Sequence, residues 1–127
     1  MALRLIRDRF NQRLNRTPIP ADLDEVISID PKEVSPERLG LDQRAVDAIW
    51  EDTLSLYRSG MHPMLSPCVR RSVELLINRS IGYQHGDAAS DDAVIGGLNT
   101  PICLFSASKA VSAMLIHLLA EQGKIHL

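Results

Sequence analysis

Apolar residues recur at helical spacing near the start of the chain. The first 16 residues contain five arginines, and between them lie the apolar residues Leu3, Ile6, Phe10 and Leu14. This pattern predicts a short basic amphipathic helix over residues 3–14. We favour a helix that docks on the rest of the protein. A transit peptide or a membrane-surface anchor stays the alternative, since both use segments of this kind.

The next segment, residues 22–37, is acidic and interrupted by proline. Six acidic residues stand against Lys32 alone, and four prolines lie within or just before the segment. Proline at this density breaks regular elements, so we expect a linker or a wrapping arm. Residues 1–40 are therefore predicted to form an N-terminal extension, and residues 41–127 to form a domain.

Residues 41–60 carry the pattern of a complete helix. Asp42 is placed as the N-cap, Leu41 and Val46 as a hydrophobic staple, and Gly60 just past the end. The predicted buried stripe consists of Val46, Ile49, Trp50, Leu54 and Tyr57.

After Pro67 the pattern changes to two short segments, residues 68–70 and 74–81. Three residues separate the two segments, and the second ends before Gly82. They predict a β-hairpin. Residues 86–100 are polar and contain glycine, which predicts a loop. The sum of these elements is a mixed fold of helices and antiparallel strands.

Residues 106–120 predict the most apolar helix. Ten of these fifteen residues are Ala, Val, Ile, Leu or Met, and Lys109 is the only charged one. A helix that is apolar nearly all round is expected to be buried on most sides, and Gly123 marks its end. Because the chain supplies only one other helix and a hairpin to cover it, we also expect exposed apolar surface and self-association.

The first turn of this helix carries candidate chemistry. Ser106 and Lys109 are three residues apart, which places their Cβ atoms about 5–6 Å apart on one face. Burial and the helix dipole would favour the neutral amine that a general base needs, and the dipole would stabilise an oxyanion at the Ser106 N–H. The alternative is a capping serine and a surface lysine. Ser108 faces elsewhere and is expected to be a capping or packing hydroxyl.

Residues 100–127, with the Ser-x-x-Lys motif at Ser106 and Lys109, resemble the nucleophile region of the β-lactamase-related serine hydrolases. That family includes class C β-lactamases, penicillin-binding-protein-like peptidases and esterases. The resemblance extends back through residues 79–82 and 41–60. It implies an α/β fold of the α+β type, β-lactamase/transpeptidase-like, with an antiparallel sheet flanked by helices and present only as its N-terminal part. It also implies that Ser106 is the acylated nucleophile and Lys109 its proton partner, with a small ester, amide or β-lactam as substrate.

The sequence departs from this family at several points. Ser72 and Val73 stand where the family's hairpin turns through glycine, and Pro67 falls inside the expected first strand. The family's second motif, Tyr-x-Asn or Ser-x-Asn, and its third, Lys-Thr-Gly or His-x-Gly, do not occur after Ser106. We therefore expect little activity from this chain alone. A non-catalytic remnant or interaction module is the alternative.

Composition narrows the possible partners. A net charge of -2 gives no basic field for nucleic acid, and no apolar run approaches the about 20 residues of a membrane span. Cys68 and Cys103 are expected to be buried thiols, and the four histidines are scattered, so we predict no metal and no cofactor. With no secretory signal in the sequence, a cytoplasmic location is expected.

Overall fold

The computed structural model describes residues 16–127, so the basic segment at residues 3–14 and its predicted helix lie outside the described residues. In the described part the chain forms five strands and two α-helices. These are β1 (Ile27–Ile29), α1 (Gln43–Arg58), β2 (Met64–Leu65), β3 (Cys68–Arg71), β4 (Glu74–His85), β5 (Val94–Ile95) and α2 (Ser108–Glu121). Three short 3-10 turns, Asp24–Val26, Pro36–Leu39 and Phe105–Ala107, connect them.

Strand β4 is the centre of the sheet, and every other strand pairs with it antiparallel. Strands β1 and β2 lie on opposite sides of β4, whereas β3 pairs with residues 74–78 of β4 and β5 with residues 83–85. The fold is thus mixed α+β with an antiparallel sheet and two helices in the described part, as predicted.

The predicted hairpin is present, with β3 and β4 as its strands. Its two-residue turn places Ser72 at a φ of 56°, so the serine adopts the left-handed conformation and the β-branched Val73 does not. Pro67 lies between β2 and β3 rather than inside a strand, and its carbonyl accepts the Arg79 N–H at 3.2 Å. The expected first strand is therefore split in two at the proline, which has no N–H to donate.

Helix α1 begins and ends close to the predicted positions. The Asp42 carboxylate accepts the Arg44 N–H at 2.9 Å, and Leu41 packs against the cluster that contains Val46. The cap and the staple are thus both formed. The predicted stripe is right except at Ile49, which is 42% exposed.

The core lies between α1 and one face of β4. It contains two clusters of buried side chains, Val26, Leu54, Tyr57 and Ile81 in one, and Val46, Leu76 and Ile77 in the other. Tyr57 is fully buried, and burial, with Tyr83 nearby, raises its pKa to about 12. Its hydroxyl has no hydrogen-bond partner among the described residues.

The acidic segment wraps around the sheet. Strand β1 within it pairs Ile27 with Ile81, and the Glu33 carboxylate accepts from the Arg79 guanidinium at 2.7 Å, with both side chains largely buried. Asp30 accepts from Asn78 at 2.7 Å, and hydrogen bonds from the Lys32 N–H and from Asn78 lower the pKa of Asp30. Residues 27–33 of this segment therefore lie against β4, and β1 is a strand that the sequence analysis did not predict.

Helix α2 corrects the expectation of burial. Every residue from 101 to 119 is exposed, and none of the helix is buried. Helix α1 already covers the face of β4 that carries Ile77 and Ile81, whereas the other face carries the polar Asn78 and Ser80. The apolar side chains of α2 therefore stay exposed in the described chain.

The end of α2 was predicted correctly at Gly123. That glycine has a φ of 66°, and the Lys124 N–H donates to the Leu119 carbonyl at 2.9 Å, as in a Schellman motif. Neither helix of the described residues is long and apolar enough to cross a membrane.

Candidate active site

The structure brings Ser106 and Lys109 together. Ser106 lies in the 3-10 turn Phe105–Ala107, and Lys109 lies in the first turn of α2. The Lys109 Nζ donates to the Ser106 Oγ at 2.9 Å. A hydrogen bond of this length is the contact through which a proton moves between a hydroxyl and an amine.

The capping alternative for Ser106 does not describe this geometry. The N-cap position of α2 is Ala107, and no side chain caps either the 3-10 turn or the helix. The Ser106 hydroxyl instead bonds to the lysine. The surroundings differ from expectation, however, because both residues are exposed.

Phe105, directly before Ser106, has a strained backbone. Its φ is 46°, which costs a residue with a Cβ about 1–2 kcal/mol. The Phe105 side chain is 82% exposed, so side-chain packing does not stabilise this conformation. Two hydrogen bonds do reach the Phe105 carbonyl, one from the Ser108 N–H and one from the Ser108 hydroxyl at 2.6 Å.

The Ser106 N–H is available to a ligand. No group among the described residues accepts a hydrogen bond from it. It lies at the start of the turn that leads into α2, where the partial positive charge of the helix is concentrated. An N–H in this position can stabilise a negatively charged oxygen.

Sequence reasoning missed the part that Phe105 and Ser108 play. Nothing in the sequence marks Phe105 for positive φ, because glycine and asparagine are the residues that usually adopt it. Ser108 carried a usable signal: a serine three residues after a carbonyl commonly donates to it. The Ser108 hydroxyl caps neither the turn nor the helix and instead donates to the Phe105 carbonyl, an acceptor that the sequence analysis did not identify.

Other candidate groups do not form a second site. Cys68 and Cys103 are exposed free thiols, so the expectation of burial is wrong: Cys68 begins a short strand at the surface, and Cys103 lies in the exposed segment before α2. His85 contacts Asp92 at 3.1 Å, with both side chains largely exposed. Across residues 16–127, no three His, Cys, Asp or Glu side chains gather as a metal ion requires.

Comparisons of the chain with protein-family models, with curated proteins and with solved structures find no match. The resemblance of residues 41–60, 79–82 and 100–127 to the β-lactamase-related hydrolases therefore stays a prediction from the sequence.

Proposed function

We propose that Ser106 and Lys109 are the nucleophile and the proton acceptor of a serine hydrolase related to the β-lactamases, acting on a small ester, amide or β-lactam. The observation that carries this proposal is the 2.9 Å contact between the Lys109 Nζ and the Ser106 Oγ. A lysine at the positive end of a helix is unfavourable for stability, and a role as proton acceptor accounts for its presence.

The reaction begins when the neutral Lys109 amine takes the Ser106 hydroxyl proton. The serine oxygen then forms a bond to the substrate carbonyl carbon, and the carbonyl oxygen becomes an oxyanion. When the oxyanion collapses, the bond to the leaving group breaks, and the leaving group receives the proton from the Lys109 ammonium. The acyl-Ser106 ester is hydrolysed when water attacks it, which regenerates the serine hydroxyl.

Two features near the pair support this assignment. The Ser106 N–H is unbonded in the described part of the chain and sits at the helix start, where it would stabilise the oxyanion. The strained φ of 46° at Phe105 lies one residue before the nucleophile, and backbone strain of this kind clusters at functional sites.

The rate expected of this chain is low. A second oxyanion donor is missing from the described site, and loss of one such donor typically slows catalysis about 100- to 1000-fold. The exposed pair also acts in water, where electrostatic stabilisation is weaker than in a closed site. Turnover of esters and β-lactams should therefore be nearly undetectable. A covalent reagent that reacts only once with the serine should still label Ser106.

The test is labelling of the 127-residue chain by a fluorophosphonate, with the adduct located by mass spectrometry. We expect an adduct on Ser106, no labelling in Ser106→Ala, and strongly reduced labelling in Lys109→Met. Lys124→Met removes another lysine of the same exposed region and should label as the natural chain does. An adduct on a different residue, or undiminished labelling in Ser106→Ala, would show that the proposal is wrong.

An interaction module is the second candidate function, and one observation favours it. Helix α2 exposes large apolar side chains all round, including Met114 at 65% and Leu115 at 57%. Exposed apolar surface of this kind is typical of a partner-binding site. A second chain or a further segment that covered α2 would act on the same helix that carries Lys109.

A further inference from the structure

We propose that Ser108 is a positioning residue that aims the Ser106 N–H at the substrate oxyanion. This inference rests on the proposed acyl transfer at Ser106. It concerns a residue that neither forms nor breaks a bond in that reaction.

The first step of the argument is the peptide unit between Phe105 and Ser106. Its carbonyl belongs to Phe105 and its N–H to Ser106, and in a planar trans peptide these two groups point in opposite directions. Anchoring the carbonyl therefore also fixes the direction of the N–H. The proposed oxyanion donor is thus oriented by whatever contacts the Phe105 carbonyl.

Ser108 makes both of the contacts that the structure gives this carbonyl. Its hydroxyl donates at 2.6 Å, and its backbone N–H donates as well. Hydroxyl hydrogen bonds of this length are at the short end of the usual range. Together they hold the peptide from the helix side and leave the opposite N–H open.

The strain at Phe105 explains why such an anchor is needed. At a φ of 46° this residue would relax toward the ordinary helical or extended regions, and relaxation would turn the peptide plane. The exposed Phe105 ring supplies no packing to prevent it. Among the described residues, the Ser108 hydroxyl is the side chain that bonds to this carbonyl.

Ser112 provides a matched control, because its hydroxyl also donates to a carbonyl in the same helix. It contacts the Ser108 carbonyl at 3.3 Å, one turn away from the strained peptide. Replacing either serine by alanine removes one hydroxyl from an exposed helix position and favours helix formation. Only Ser108→Ala removes the hydroxyl hydrogen bond to the Phe105 carbonyl, while the bond from the backbone N–H stays.

The experiment measures the rate of fluorophosphonate labelling at Ser106 in the full chain as a function of pH. In Ser108→Ala we expect a maximal rate about 100-fold lower, as for small misplacements of reacting groups, with the same pH midpoint because the Ser106–Lys109 contact is untouched. Ser108→Thr keeps the hydroxyl and should restore the rate, and Ser112→Ala should react as the natural chain does. The HN–Hα coupling constant of Phe105, which reports φ, should change in Ser108→Ala and persist in Ser108→Thr.

The outcomes separate the two proposals. If the natural chain is labelled at Ser106 but Ser108→Ala is labelled at the same rate, or if the Phe105 coupling is unchanged, the role of Ser108 is refuted and the nucleophile stands. If the natural chain forms no adduct at Ser106, the proposed function fails. A shifted pH midpoint in Ser108→Ala would show that the hydroxyl acts on the proton transfer instead.

Discussion

Gly82 is the position where one added methyl group should disturb the fold most. It lies in β4 with a φ of 108°, and a Cβ built there would meet the Pro63 carbonyl oxygen and lie 2.7 Å from Cε2 of the buried Tyr57 ring. The Pro63 carbonyl accepts the Tyr83 N–H at 2.9 Å, so it cannot retreat without loss of that bond. We predict that Gly82→Ala destabilises the sheet strongly.

The magnitude follows from three separate costs. A non-glycine residue held in a sparsely populated region of φ costs about 1–3 kcal/mol. Overpacking against the Tyr57 ring adds about 1–3 kcal/mol, and weakening the hydrogen bond to Pro63 adds about 1 kcal/mol. The loss in free energy of unfolding should come to about 3–7 kcal/mol, a large part of the stability of a small domain.

Gly40→Ala is the matched control, because Gly40 has a φ of 66° and no atom within 4 Å of its built Cβ. The free energy of unfolding of Gly40→Ala should fall by only about 1 kcal/mol, which is the cost of the left-handed conformation. Urea denaturation followed by the fluorescence of Trp50, the only tryptophan of the chain, measures both. Equal losses in the two variants would refute the reasoning, since the close contacts at Gly82 would then cost nothing.

Two further predictions concern the buried tyrosine and the exposed helix. Tyr57→Phe should raise the free energy of unfolding by about 1 kcal/mol by removing an unpartnered buried hydroxyl. The pKa of Tyr57 is raised to about 12 in the folded chain, so the protonated tyrosine contributes stability that is fully present below its ordinary pKa of about 10 and is lost as the pH rises through 12. Urea titrations at alkaline pH should therefore show a smaller loss of stability with pH in Tyr57→Phe than in the natural chain. An identical pH dependence in the two would contradict this. The chain should also self-associate with rising concentration in light scattering. Leu115→Glu in α2 should reduce that association more than Leu56→Glu in α1, and a monomer at all concentrations would refute it.

The sequence predicted those elements whose signals are local. In α1 the cap at Asp42, the staple at Leu41 and the apolar period all fall within one segment, so they agree without knowledge of the rest of the fold. Strand β1 was missed because its partner, β4, is about 50 residues away in the chain, and pairing at that distance leaves no local pattern. The Glu33 contact to Arg79 was out of reach for the same reason.

The candidate site divides in the same way. The contact between Ser106 and Lys109 follows from their spacing on a helix, which a sequence shows directly. The left-handed Phe105 depends on how the chain enters α2, and an ordinary aromatic residue gives no sign of it. The burial of α2 was predicted wrongly because apolarity shows that a helix needs a partner, not that the described chain supplies one.

Coverage of α2 links the two candidate functions. An α-helix turns by about 100° per residue, so Val111 and Leu118, seven residues apart, lie on nearly the same face of α2. Both are about half exposed. Lys109 lies on a different face. A partner that packed on Val111 and Leu118 could therefore leave the amine in contact with Ser106. Binding through α2 and acyl transfer at Ser106 are thus compatible.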